Sequence, residues 1–129
     1  MTHRLPVRVY YEDTDMGGIV YYANYLKYIE RSRSTLVGEL GLDQKKMKDE
    51  DGIVFVVVRV EADYLRPARL DDELEVVTTH HAASPMRWVF DQDVMRGEEL
   101  LFRAKVTAVC MTTEGKPVRL PAELRAKLT

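Results

Sequence analysis

Between residues 23 and 42 the chain, ANYLKYIERSRSTLVGELGL, brings an apolar residue back to one side every three or four positions. Tyr25, Ile29, Leu36 and Leu40 share that side, joined by Leu26 and Val37, while Lys27, Glu30, Arg31 and Glu39 lie opposite. The spacing predicts one long amphipathic helix, with Asn24 as its N-cap and Gly41 as its stop. Elsewhere the period falls to two. PVRVYYE, 6–12, reads as a strand, followed by a turn over Asp13–Gly18. Val54, Val56, Val58, Val60 and Ala62 alternate along a second strand, and Leu74 and Val76 open a third. Trp88, Phe90 and Val94 mark a fourth; Leu100, Phe102, Ala104, Val106, Ala108 and Cys110 mark a fifth. Gly97 suits the hairpin turn between these last two, and EGKP, 114–117, suits another turn. DQKKMKDEDG, 43–52, reads as a polar loop with a solvated charge run, and PAELRAKLT as a short terminal helix with Pro121 near its start.

One early helix and about five strands define a single α+β domain over 1–129, built on an antiparallel sheet. A lone helix covers only one face of such a sheet. In IVFVVVRVEADY, however, Ile53, Phe55 and Val57 are apolar as well, so the first half of that strand looks buried on both sides. From Arg59 onward the odd positions are charged: Arg59, Glu61, Asp63. Two-sided burial over half a strand predicts a homo-oligomer with the strand's start near the interface, the alternative being a loop that covers the patch.

Composition narrows the class. The chain has 129 residues, 46% of them hydrophobic, enough for a real core and unlike a disordered chain. The net charge of −2 comes without a basic block, which argues against nucleic acid as a partner. The single cysteine, Cys110, can form no intrachain disulfide, and its place in VTAVCM marks it as a packing residue. There is no signal-like apolar segment at the start and no run long enough to span a membrane, so the expected location is the cytoplasm.

The chemistry concentrates in YYEDTDMGGIVYYANY, 10–25. DTDMGG opens like a calcium-binding EF-hand loop, but its fifth position is Gly17 and its twelfth is Asn24, where a bidentate glutamate is required. Asp13 reads as a cap on its own turn. Asp15 is different. A glycine pair, Gly17-Gly18, lets backbone approach a ligand there, and a helix N-terminus with unpaired N–H groups follows. A carboxylate facing free backbone donors is what acyl transfer requires: one attacks or activates water, the others hold the developing oxyanion. A hydratase or dehydratase would need a histidine beside an acid. Yet His3 falls in the terminal tail, and His80 and His81 adjoin in a strand and face opposite ways. No G-x-S-x-G elbow is present.

YYEDTDMGGIVYYANYLKYIERSR closely resembles the signature of hotdog-fold acyl-CoA thioesterases of the 4-hydroxybenzoyl-CoA thioesterase group. The nearest branch is the small acyl-CoA thioesterases associated with the bacterial Tol–Pal system. FVVVRVEADYLRPARLDDELEV resembles that branch too, notably in PARLDD, so the resemblance spans nearly the whole chain. It implies a curved antiparallel sheet wrapped round one long helix. It also implies a dimer with a continuous sheet, often paired into a tetramer, and active sites at the subunit interface. It places the catalytic aspartate on Asp15 and the backbone N–H that contacts the thioester carbonyl on Tyr22, with Gly18 in the loop between. The branch usually carries histidine where this chain has Tyr22. Asp15 would either attack the thioester or activate water. Val20, Tyr22 and Tyr25 would line the acyl pocket, Tyr25 having core packing as its alternative. Val57, Val58 and Arg59 would reach the tunnel from the neighbouring subunit. Arg87 is the favoured contact for coenzyme A phosphates among Arg59, Arg66, Arg69, Arg87 and Arg103; Arg69 is expected to pair with Asp71 or Asp72. The implied substrate is a short-chain aliphatic or aryl acyl-CoA, or an acyl-carrier protein thioester, with no metal and no cofactor beyond the coenzyme A of the substrate. A non-catalytic acyl-CoA binding or scaffold protein is the competing class.

Overall fold

The computed structural model describes residues 2–128. Five strands, β1 (His3–Arg8), β2 (Ile53–Tyr64), β3 (Glu73–Ala82), β4 (Arg87–Arg96) and β5 (Glu99–Thr112), form one sheet in the order β1-β3-β4-β5-β2. Every pairing is antiparallel. The long helix α1 (Asn24–Glu39) lies against one face of this curved sheet. Its Tyr25, Tyr28, Ile29, Leu36 and Val37 join Leu74, Val76, Trp88, Phe90, Val94, Phe102 and Val106 in one core. Each such side chain, taken fully out of water, contributes roughly 1.5–3 kcal/mol. This is the expected hotdog arrangement. A short terminal helix, Ala122–Lys127, adds Leu124 to the core. No helix among the described residues is long and apolar enough to cross a membrane.

Several local expectations are corrected. The first strand is His3–Arg8, not 6–12, and Tyr11–Asp13 form a 3-10 turn. His3 therefore belongs to β1 rather than to a tail; its ring contacts Glu39 of α1 at 2.7 Å. Residues 43–52 are not a plain loop. Asp43 accepts from the Lys46 N–H and starts a helical turn, Gln44–Lys46, which widens into a π turn over Met47–Asp51. Asn24 does not cap α1; its amide instead donates to the Asp13 carbonyl at 2.9 Å. Leu26 is 40% exposed and lies off the core face. Gly41 does end the helix, with φ +84°.

The largest correction is in β2. Val54, Val56, Val58, Val60 and Ala62 do not share a face, because the register against β5 shifts between Val57 and Arg59. Val58 is the extra residue of that bulge, and it flips the alternation. Phe55 and Val57 sit opposite Cys110 and Ala108 on the helix side, and after the bulge Val60, Ala62 and Tyr64 sit opposite Val106, Ala104 and Phe102 on that same side. A sidedness that a regular strand would lose by changing phase is thus kept along the strand.

Candidate functional site

The Asp15–Gly18 turn is closed by Gly18 N–H donating to the Asp15 carbonyl at 3.0 Å and Asp15 N–H donating to the Ile19 carbonyl at 2.9 Å. Gly18 has φ +75°, a conformation that a side chain would strain. Gly17 N–H donates to Asp15 Oδ1 at 2.8 Å, which fixes the exposed carboxylate. Asp13 is the structural partner. It is buried, and its Oδ2 accepts from Tyr10 N–H at 2.9 Å. Its carbonyl accepts from Tyr21 N–H, also at 2.9 Å.

A second loop clamps this turn. Val20 N–H donates to the Ala68 carbonyl at 2.8 Å, and Ala68 N–H donates to the buried Tyr25 hydroxyl at 3.0 Å. Burial pushes the Tyr25 phenol above its ordinary pKa, against the opposing pull of that backbone bond. Arg69 does not pair with Asp71 or Asp72 through its side chain. Its backbone N–H goes to Asp72, while Asp71 pairs with Arg8 and Asp72 with Arg96.

Tyr22 follows the turn just before α1. Among the described residues no acceptor faces its N–H, while its carbonyl accepts from the Tyr64 hydroxyl at 3.0 Å. Val20, Tyr22, Tyr25, Tyr64 and Pro67 line a cavity of about 340 Å³. The Tyr21 phenol beside it is raised chiefly by Tyr22, and less by the Asp15 carboxylate.

The structure thus gathers Asp15, Gly18, Val20, Tyr22 and Tyr25 in one region. Within one chain it does not bring Val57, Val58, Arg59 or Arg87 there. Val57 borders a separate cavity of about 160 Å³ with Glu30, Arg33, Phe55, Trp88 and Phe90. Val58 is the half-exposed bulge residue. Arg59 pairs with Glu61 at 3.0 Å, and Arg87 opens β4 opposite Val109. Cys110 is buried, and burial pushes its thiol up to about 11, which suits packing and not nucleophilic attack. Sequence reasoning missed Tyr64, which lines the tyrosine cavity, and Arg33, which borders the second cavity and donates to Gln92 at 2.9 Å. An aromatic residue at the end of a mostly apolar strand was the available signal for the first. Nothing marked the second, because its neighbours come from β2 and β4.

One long helix wrapped by a curved five-stranded sheet, with a carboxylate turn at the helix start, defines a hotdog domain of the thioesterase type. The chain belongs to the thioesterase-like superfamily, whose family model matches residues 9–128. It is 40% identical over 122 residues to an acyl-CoA thioesterase, YbgC, of Haemophilus influenzae, covering 94% of this chain and 90% of that protein. It is similar to the crystal structure of a probable thioesterase from Bartonella henselae, with 35% identity, a TM-score of 0.87, and coverage of 94% of this chain and 100% of that one. A 1,4-dihydroxy-2-naphthoyl-CoA thioesterase from Synechocystis superposes with a TM-score of 0.92 at 26% identity, over 99% of this chain and 96% of that one.

Proposed function

We propose that this protein hydrolyses acyl-CoA thioesters, with Asp15 as the reacting carboxylate. The observation that carries the reading is the juxtaposition at the start of α1. A carboxylate pinned by Gly17 N–H stands on a turn that leads directly to the unpaired Tyr22 N–H and an apolar cavity. The thioester carbonyl accepts from Tyr22 N–H, so that the oxygen gaining charge meets a donor already in place. Asp15 then either attacks the carbonyl carbon, expelling the thiolate and forming an anhydride that water hydrolyses to the free acid and restored carboxylate, or takes a proton from a water that attacks, with the thiolate leaving and the free acid formed directly. This chemistry draws on no metal or prosthetic group. The relative from Haemophilus influenzae and the structural neighbours named for CoA thioesters support the acyl-CoA assignment.

The working form in this reading is a homodimer joined through β2. That strand is at the sheet's edge, is 12 residues long, and exposes Val57, Val58, Val60 and Tyr64. The opposite edge strand, β1, has 6 residues and carries Pro6, Arg4 and Arg8, features that discourage pairing. Antiparallel pairing of two β2 strands about a central two-fold sets the first half of one against the second half of the other. The cavity bordered by Phe55 and Val57 then approaches the partner's tyrosine-lined cavity. Val57 and Val58 thereby reach the acyl group from the neighbouring subunit, and Arg59 and Arg87 remain candidates for the coenzyme A phosphates.

The test is thiol release from short aliphatic, long aliphatic and hydroxybenzoyl thioesters of coenzyme A and of acyl-carrier protein, with wild type beside Asp15→Asn. Turnover by wild type with at least a hundredfold loss in Asp15→Asn is expected. A variant that hydrolyses as fast as wild type removes Asp15 from the reaction. A protein that binds the thioesters without turnover is a binding or scaffold protein instead. Sedimentation of Val58→Asp, expected as a monomer, tests the β2 interface.

A further inference from the structure

The backbone just before α1 is tied to another element at the residue that matters most. Tyr22 lies before Ala23, the N-cap of α1, so its carbonyl takes no part in the helix ladder. The Leu26 N–H goes to the Ala23 carbonyl at 3.2 Å. The Tyr22 carbonyl is handed to another element, accepting from the Tyr64 hydroxyl at 3.0 Å. Tyr64 is the last residue of β2, 42 positions away, and its ring is fixed on three sides. It stands edge-on to Tyr22, Tyr25 and Phe102, with ring centroids 6.2, 5.6 and 5.0 Å apart. The hydroxyl therefore has little freedom, and neither does the carbonyl it holds.

We infer that Tyr64 is a positioning residue for hydrolysis: by holding the Tyr22 carbonyl from β2, it anchors the backbone on the far side of the Tyr22 Cα and so fixes the place from which the Tyr22 N–H faces the cavity. The inference rests on the proposed thioesterase reading and deepens it. The two groups belong to one residue, with the N–H on one side of its Cα and the carbonyl on the other. The near side is already held, since the Tyr21 carbonyl, in the same peptide plane as Tyr22 N–H, accepts from Asn24 N–H at 2.9 Å; releasing the far side lets the Tyr22 Cα shift and carries the N–H away from the substrate oxygen. An oxyanion donor works only where it already points to the oxygen's final position. The arrangement also connects the site to the edge strand: Tyr64 moves with β2, so the donor's aim depends on the strand whose outer edge is open.

Tyr64→Phe removes the hydroxyl and keeps the three ring contacts. The expected result is a three- to tenfold fall in kcat, the range one neutral hydrogen bond supports, with KM within twofold and the melting temperature and oligomeric state unchanged. The infrared stretch of a ¹³C-labelled thioester carbonyl, bound to an Asp15→Asn protein that turns it over slowly, should move to higher frequency when Tyr64→Phe is added, because a misaimed donor polarises the carbonyl less. Tyr64→Leu, which also deletes the ring, should lose thermal stability as well. Wild-type kcat in Tyr64→Phe with an unmoved carbonyl stretch overturns the inference, as does a rise in KM alone, which marks Tyr64 as simple packing. A wild-type protein without thioesterase activity instead overturns the proposed function, so the two failures are told apart.

Discussion

Two neighbouring glycines should fail in opposite ways. A Cβ built on Gly17 meets Asp15 Oδ1 at 3.2 Å, tighter than an ordinary contact, and the backbone of Gly17 lies outside the left-handed region. Gly17→Ala is therefore compatible with the fold, and restricting the unfolded chain should stabilise the protein by up to about 0.4–1 kcal/mol. Its cost falls on the carboxylate, which must shift by a few tenths of an ångström to clear the new methyl. A full 1 Å displacement costs on the order of a hundredfold in rate, so a few tenths should cost about three- to tenfold. Gly18→Ala is the converse. Nothing stands within 4 Å of its added Cβ, but φ +75° strains an L-residue. That strain costs about 1–2 kcal/mol, a loss of roughly 5 °C in melting temperature. The assays are steady-state hydrolysis and thermal melting of both variants. In the Asp15→Asn background Gly17→Ala should cost nothing further, since the group it displaces is already inactive. Wild-type kcat in Gly17→Ala, or a raised melting temperature in Gly18→Ala, refutes this account of the turn.

Arg96 donates to Asp72 at 2.7 Å, to Glu99 at 2.9 and 3.2 Å, and to the Pro67 carbonyl at 3.2 Å. Arg96→Met should destabilise the fold by about 1–3 kcal/mol and lower kcat by loosening the loop that carries Ala68, as melting and kinetics would read out. His80 Nδ1 accepts from Trp88 Nε1 at 3.0 Å, and burial, ahead of neighbouring positive charge from His3 and His81, holds its pKa below the ordinary value of 6.5. The unfolded chain then binds the extra proton first, so stability should decline as pH falls below about 6.5. Denaturant titrations from pH 7.5 to 5 should show that decline flattened in His80→Gln, which keeps an acceptor but does not ionise.

What the sequence made legible follows from locality. The helix over 24–39, the four later strands and the Gly97 hairpin rest on periodicity and turn chemistry within short windows, and all appear. Asp13 and Asp15 were separable because a turn cap and an exposed carboxylate have different local neighbours. The β2 bulge was not legible, because an all-apolar VFVVV run hides a change of phase. Nor was the buried polar set under α1. Ser32 and Thr78 share a contact at 3.1 Å, and Gln92 donates to Thr78 at 3.0 Å and to the Ile29 carbonyl at 2.9 Å. Ser32 sits on an apolar helix face and Gln92 on an apolar strand face, where each looks like an exception until its partner, 46 or 14 positions from Thr78, is in place. Asn24 does not cap because the helix starts one residue earlier than its spacing suggested, with Ala23 at the N-cap, and its amide NH2 donates instead to the Asp13 carbonyl, 11 positions back.

The two blocks that carried the resemblance, DTDMGG and PARLDD, are one physical device. In the proposed reading the first block holds the chemistry, but a six-residue turn with two glycines has little rigidity of its own. Its rigidity comes from the second. Ala68 is fully buried and bonds in both directions, to Val20 through its carbonyl and to Tyr25 through its N–H. Ile19 and Arg69 form a β-bridge one step further along. The second block is in turn tied to the end of β1. Val9 N–H donates to the Asp72 carbonyl at 2.9 Å, Asp71 N–H returns to the Val9 carbonyl at 3.1 Å, and Arg96 grips Asp72 from β4. Asp71 accepts φ +69° to make that turn. A reacting carboxylate must be held to a fraction of an ångström, and its hydrogen bonds must be in place before the substrate arrives. The aspartate is therefore encoded in one stretch and its precision in another about fifty residues later, joined by backbone hydrogen bonds that depend on chain path more than on side-chain identity.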